Sequence, residues 1–118
     1  MNPLLDFSGL PCFDRIKPEY VGPAIDELLA AARAAADAAT RAPATWEAFV
    51  APLEDANERL ARAWGQVAHL HAVMDSPPLR EAYNASLPKI SQYWTELGQN
   101  QALFQKYKEL ASSSWIAA

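Results

Sequence analysis

Between Pro23 and Pro43 the chain carries neither glycine nor proline, and there Ile25, Leu28, Leu29, Ala32, Ala36 and Ala39 recur at three- and four-residue steps. That spacing places them on one stripe of an α-helix. It does not suit a strand, whose side chains change face at every residue. Half of the stripe is methyl-sized, which lets a second helix approach closely. Alanine fills 24 of the 118 positions and glycine only 4, a balance that favours helix throughout, since Ala loses least and Gly is among the worst residues there. No segment sustains a period of two with β-branched enrichment. An all-α fold is expected.

Proline punctuates the helices. The first is predicted to begin at Gly22-Pro23, because proline at the first helical position lacks only an N–H that has no partner there. Arg41-Ala42-Pro43 ends it. Before it, Pro3, Leu4, Leu5, Phe13, Ile16 and Pro18 follow no helical period, so residues 1–21 read as an extended arm pinned by apolar anchors. Thr45 is the expected N-cap of the next run, with Glu47 in its first turn. Trp46, Phe49, Val50, Leu53, Leu60, Trp64, Val67 and Met74 then keep the helical spacing, interrupted by Pro52. Ser76-Pro77-Pro78 stops that run and caps a third, which carries Leu79, Tyr83, Leu87, Ile90 and Leu97, with Phe104 and Tyr107 as its continuation. Short connections favour antiparallel neighbours. The pattern predicts an antiparallel bundle of three long helices, the later two kinked at Pro52 and Pro88, occupying residues 22–111 and followed by a tail at 112–118.

Composition narrows the function classes. Hydrophobic residues make up 51% and charged residues 20% of the chain, which is globular and fits one domain at this length. The net charge is -4 and the pI about 5.0, so no basic footprint for nucleic acid is present. The densest apolar run, Leu28 to Ala39, is broken by Arg33 and Asp37 and falls short of a membrane span. Cys12 has no second thiol to pair with, and the first ten residues lack the basic and apolar regions of a signal peptide. A soluble, cytoplasmic protein is expected, with no nucleic-acid or membrane partner.

Candidate chemistry is sparse. His69 and His71 lie two apart and point about 200° from one another on a helix, so they do not converge on one metal. His71 and Asp75, four apart, share a face, yet two ligands are fewer than zinc uses. They read as ordinary helix residues. Ser112, Ser113 and Ser114 lack a nucleophile elbow, and nothing near Cys12 would activate its thiol. Glu54, Asp55 and Glu58 beside Arg59 and Arg62 have the spacing of a solvated, salt-bridged face. Trp46, Trp64, Tyr83 and Trp94 fall on the apolar stripes and are expected in the core or at its edge. The Asn84-Ala85-Ser86 sequon has no role in a chain that is not secreted. With no HExxH, phosphate loop or dinucleotide fingerprint, no catalytic, cofactor-binding or metal-ligating residue is assigned.

Several blocks, in order, carry a resemblance. They are Leu10-Pro11-Cys12-Phe13-Asp14-Arg15-Ile16-Lys17-Pro18-Glu19-Tyr20-Val21-Gly22-Pro23, Thr45-Trp46-Glu47, Trp64-Gly65-Gln66-Val67-Ala68-His69-Leu70, Ser76-Pro77-Pro78-Leu79-Arg80-Glu81-Ala82-Tyr83, Leu87-Pro88-Lys89-Ile90-Ser91 and Leu97-Gly98-Gln99-Asn100. Together they resemble the N-terminal part of the oligopeptidase A-like zinc metallopeptidases, within the thimet oligopeptidase family. His71 departs from that pattern, which often has asparagine there. The resemblance implies a parent of several hundred residues whose zinc is held by an HExxH helix and a downstream glutamate, with the intervening glutamate as general base. None of those positions lies in this chain, so no zinc is expected in it. It further implies a helical segment that walls a channel admitting short peptides, with the catalytic domain of the same polypeptide as its partner. A boundary at the 112–118 tail would leave apolar surface uncovered and promote self-association.

Two functions follow from these expectations. One is the non-catalytic N-terminal helical domain of a zinc-dependent oligopeptidase. The alternative is a stand-alone helical bundle that binds a protein or peptide through its aromatic grooves.

Overall fold

The computed structural model describes residues 2–9 and 13–111, so Cys12, Ser112 to Ser114 and the rest of the tail lie outside the described residues. Four α-helices form the body: α1 (Pro18–Arg41), α2 (Ala51–Val73), α3 (Pro77–Gly98) and α4 (Gln101–Ala111). Short 3-10 turns at Pro3–Leu5 and Phe13–Arg15 precede them, and a π-helical turn at Trp46–Val50 leads into α2. No strand occurs among the described residues. The all-α expectation holds.

Two boundaries differ from the sequence reading. Helix α1 starts at Pro18, not at Gly22-Pro23, with extended Lys17 as its N-cap. Both prolines fit: Pro18 takes the first helical position, and Pro23 stands on the exposed side. The early start brings Val21 into the core, completely buried, so tertiary burial outweighs the hydrogen bond that Pro23 cannot make. The second difference is a fourth helix. Phe104 and Tyr107 do not extend α3, because the chain breaks at Gln99-Asn100 and the Asn100 side chain caps α4 by accepting from the Leu103 N–H at 3.1 Å.

The two hydroxyl caps act as expected. Thr45 Oγ1 accepts from the Ala48 N–H at 3.2 Å, although the turn it caps is π-helical. Ser76 Oγ accepts from the Leu79 N–H at 3.3 Å at the start of α3. Pro52 stands at the second position of α2, and Pro88 lies inside α3.

Helix α1 packs against all three other helices, and its stripe decides how. Ile25, Leu28, Leu29, Ala32, Ala36 and Ala39 are all buried. The larger residues of its first half meet Leu60, Val67 and Leu70 of α2 and Ile90 and Tyr93 of α3 in the main core. Its second half offers only Ala36 and Ala39, and Phe49, Leu53 and Leu103 fill a smaller core there. The stripe is therefore consumed inside the molecule.

The arm is pinned, as its anchors predict, though it is not simply extended. Leu4 is completely buried in the main core, and the Asn2 amide donates to the Tyr20 carbonyl at 2.9 Å. Phe7 lies under two guanidinium groups, Arg59 at 5.5 Å and Arg62 at 5.6 Å from its ring centre. Arg62 also donates to the carbonyls of Phe7 and Gly9. It thus binds the arm instead of joining the acidic face.

Candidate functional site

The α2–α3 junction brings together His71 and Asp75, the pair that shares a helix face. His71 lies in the last turn of α2, Asp75 in the connection and Arg80 in the first turn of α3. His71 Nδ1 is 3.0 Å from Asp75 Oδ1. Arg80 donates to the other oxygen through Nε at 2.9 Å and Nη2 at 2.7 Å. The Arg80 hydrogen bonds, with a lesser one from His71, hold the Asp75 carboxyl below its ordinary value against partial desolvation. His69 points elsewhere and packs on Phe13, ring centres 5.1 Å apart. The two histidines do not converge.

The zinc implied by the family resemblance does not fit this cluster. Both Asp75 oxygens already serve His71 and Arg80, and the guanidinium would repel a second cation at the same carboxylate. No group of three or more His, Cys, Asp or Glu side chains with metal-binding geometry exists among the described residues. What the junction does offer is a stack of three rings. The His71 ring stacks on Tyr83 at 4.1 Å, and Tyr83 stacks on Trp64 at 4.9 Å.

The aromatic residues divide into two sets. Trp64 and Tyr83 edge the main core as expected. Trp46 and Trp94 do not: they are 47% and 39% exposed. Trp46 opens the π-helical turn and stays exposed although Phe49 and Val50, three and four residues on, are buried, and Trp94 lies about 100° around α3 from the buried Tyr93.

Trp94 belongs to a groove of about 830 Å³, which α2 borders on one side and α3 with α4 on the other. Leu53, Leu97 and Leu103 form its apolar base, while Trp94, Phe104 and Tyr107 stand at its surface. Tyr107 sets its ring edge-on to Phe49 at 4.8 Å. Partial burial raises the Tyr107 phenol pKa, and the charge of Glu54 adds to that shift. Glu54 and Glu58 also line the groove. Asp55 pairs with Arg59 at 3.3 Å, but neither glutamate has an ion-pair partner among the described residues. The expected salt-bridged face is thus only half paired. Sequence periodicity does not reveal this groove because it makes α4 a continuation of α3; Gly98 followed by Asn100 is the available signal.

No helix among the described residues is long and apolar enough to cross a membrane.

Comparison with known proteins places this arrangement. The model of the neurolysin/thimet oligopeptidase N-terminal domain matches residues 25–117. Oligopeptidase A of Haemophilus influenzae is 44% identical over 117 residues, which cover 98% of this chain and 17% of the relative. Oligopeptidase A of Salmonella typhimurium is 44% identical and that of Escherichia coli 41%, each over 118 residues with the same coverage. The chain therefore spans about 17% of the length of these curated relatives.

Proposed function

The chain belongs to the neurolysin/thimet oligopeptidase family, as its N-terminal domain, and on that premise we propose that it serves as the non-catalytic helical domain of a larger oligopeptidase that hydrolyses short peptides. The supporting observation is identity of 41–44% across nearly the whole chain to oligopeptidases of which it covers only 17%. In this reading the zinc and the residues that hold it belong to the remainder of the polypeptide. The helices wall the channel through which peptides reach that site, the three long ones running antiparallel with bends at Pro52 and Pro88. The chain contributes shape and access control in the cytoplasm, and the catalytic domain is its partner.

The residues fit such a role. Asp26, Asp37, Asp55, Asp75, Glu96 and Glu109 each pair with a lysine, arginine or histidine, and His69 packs on Phe13. The stack at the α2–α3 junction and the buried alanine stripe give a stiff wall.

Two measurements test the proposal. Incubating the purified chain with a quenched fluorescent peptide and zinc should yield background only; chelator-sensitive cleavage would overturn the non-catalytic assignment. Sequencing the gene beyond the codon for Ala118 should reveal an HExxH several hundred codons downstream, and a stop codon there would overturn the parent enzyme.

A further inference from the structure

The groove between α2 and the α3–α4 corner combines two features that the wall role leaves unexplained. Its outer edge exposes Trp94, Phe104 and Tyr107 together, with Phe104 57% exposed. Beside them Glu54 and Glu58 stand one helical turn apart, and both lack an ion-pair partner among the described residues. Like charges four apart on a helix repel. No cationic side chain is among the residues that line the groove, and Lys108, at its aromatic edge, sits 5.4 Å over the Phe104 ring, leaving Trp94 and Tyr107 beside the carboxylates. An aromatic edge next to two unpaired carboxylates is complementary to an apolar surface that carries a lysine or arginine, because such a cation gains from both the carboxylates and the ring faces.

We propose that this groove is the docking site for an amphipathic helix whose apolar residues cover Trp94, Phe104 and Tyr107 and whose lysine or arginine meets Glu54 and Glu58. The source is the remainder of the full-length polypeptide, so this assignment rests on the domain reading above. The relatives extend far beyond the stretch matched here, which is only 17% of their length. Apolar surface of this kind is normally covered in the complete molecule. The alanine stripe of α1 is not available for that contact, since the chain's own helices already bury it.

The experiment is an amide NMR titration of the chain with two short helical peptides of identical leucine spacing, one bearing lysines beside the leucines and one bearing glutamates. The lysine peptide should shift resonances at residues 53–61 and 94–107 and bind at least about tenfold more tightly than the glutamate peptide. Glu54→Gln with Glu58→Gln should remove most of that preference, while Phe104→Ala should weaken both peptides alike. Equal binding of the two peptides, or shifts outside the groove, would overturn the proposal. So would a dimer by sedimentation that the lysine peptide fails to dissociate, since the occupant would then be a second copy. The gene sequence separates the two levels. A reading frame that continues to an HExxH with no groove response overturns the docking site alone, whereas a frame that stops at Ala118 overturns the parent and the source of the helix together.

Discussion

The imidazole of His71 lies on the phenol ring of Tyr83, centres 4.1 Å apart and planes 14° from parallel. Trp64 covers the other part of the stack at 4.9 Å and 15°. These rings fasten the last turns of α2 to α3, and the contact depends on ring area, with no hydrogen bond to the Tyr83 hydroxyl among the described ones. Tyr83→Ala should therefore cost about 2 kcal/mol of stability, and Tyr83→Phe less than about 0.5 kcal/mol. Urea denaturation followed by far-UV circular dichroism measures both; equal losses would show that the hydroxyl, not the ring, carries the contact.

Asp75 ties the same junction through charge. Its carboxyl ionises below the ordinary value of 3.8 in the folded chain, chiefly because Arg80 donates to it. A depressed folded-state pKa contributes stability that is fully present above the unfolded value and disappears as pH falls through the folded one. Asp75→Asn should consequently lower the urea midpoint at neutral pH, and the gap from the parent chain should close as pH drops below 3.8. A gap that is constant across that range would contradict the linkage.

Much of this architecture was legible from spacing. The α1 stripe is readable because Ile25, Leu28, Leu29 and the alanines repeat with the helical period, and every one of them is buried. Thr45 and Ser76 are readable as caps because a hydroxyl before a helix has one dominant use there. The start at Pro18 was hidden by a second proline with an equally good start signal, and the choice between them depends on whether Val21 finds a core to enter. The groove was less legible still. Trp94 and Tyr107 come together only after the chain turns at Asn100, a relation between helices that no periodicity within one helix encodes.

Tyr93 joins α3 to α2 in the middle of the main core. Its hydroxyl donates to the Asn57 side-chain oxygen, and burial raises its phenol pKa. Tyr93→Phe keeps the ring and its contact with the Arg33 guanidinium, 5.9 Å from the ring centre. The loss should be about 1 kcal/mol, the usual net contribution of one such hydrogen bond. A double-mutant cycle with Asn57→Ala should return a coupling of about 0.5–1.5 kcal/mol, and additive losses would show that the bond contributes nothing.

The small residues of α1 set how near its neighbours lie. Ala32 is completely buried in the main core, whereas Ala34, two positions on, is exposed. Ala32→Leu inserts volume where none is free and should destabilise by about 1–3 kcal/mol. Ala34→Leu should change stability by less than about 0.5 kcal/mol. Thermal unfolding of the two variants gives the comparison, and similar midpoints would mean that the helices do not approach through Ala32.

Gln66 is the clearest polar exception in the core. It is 4% exposed, and among the described residues neither its amide nitrogen nor its oxygen finds a hydrogen-bond partner. A buried amide without partners costs about 1–3 kcal/mol relative to an apolar group of similar shape. Methionine has nearly the same length and volume and no group to desolvate. Gln66→Met should accordingly raise stability by about 1 kcal/mol, seen as a higher urea midpoint with an unchanged slope. Gln66→Ala should instead lower it, because removing the side chain opens a cavity among neighbours such as Ala63 and Val67 on the buried face of α2. Opposite signs for the two variants would identify the desolvated amide as a cost that this domain carries; a loss in both would show that the amide is satisfied in solution and that its burial stabilises the fold.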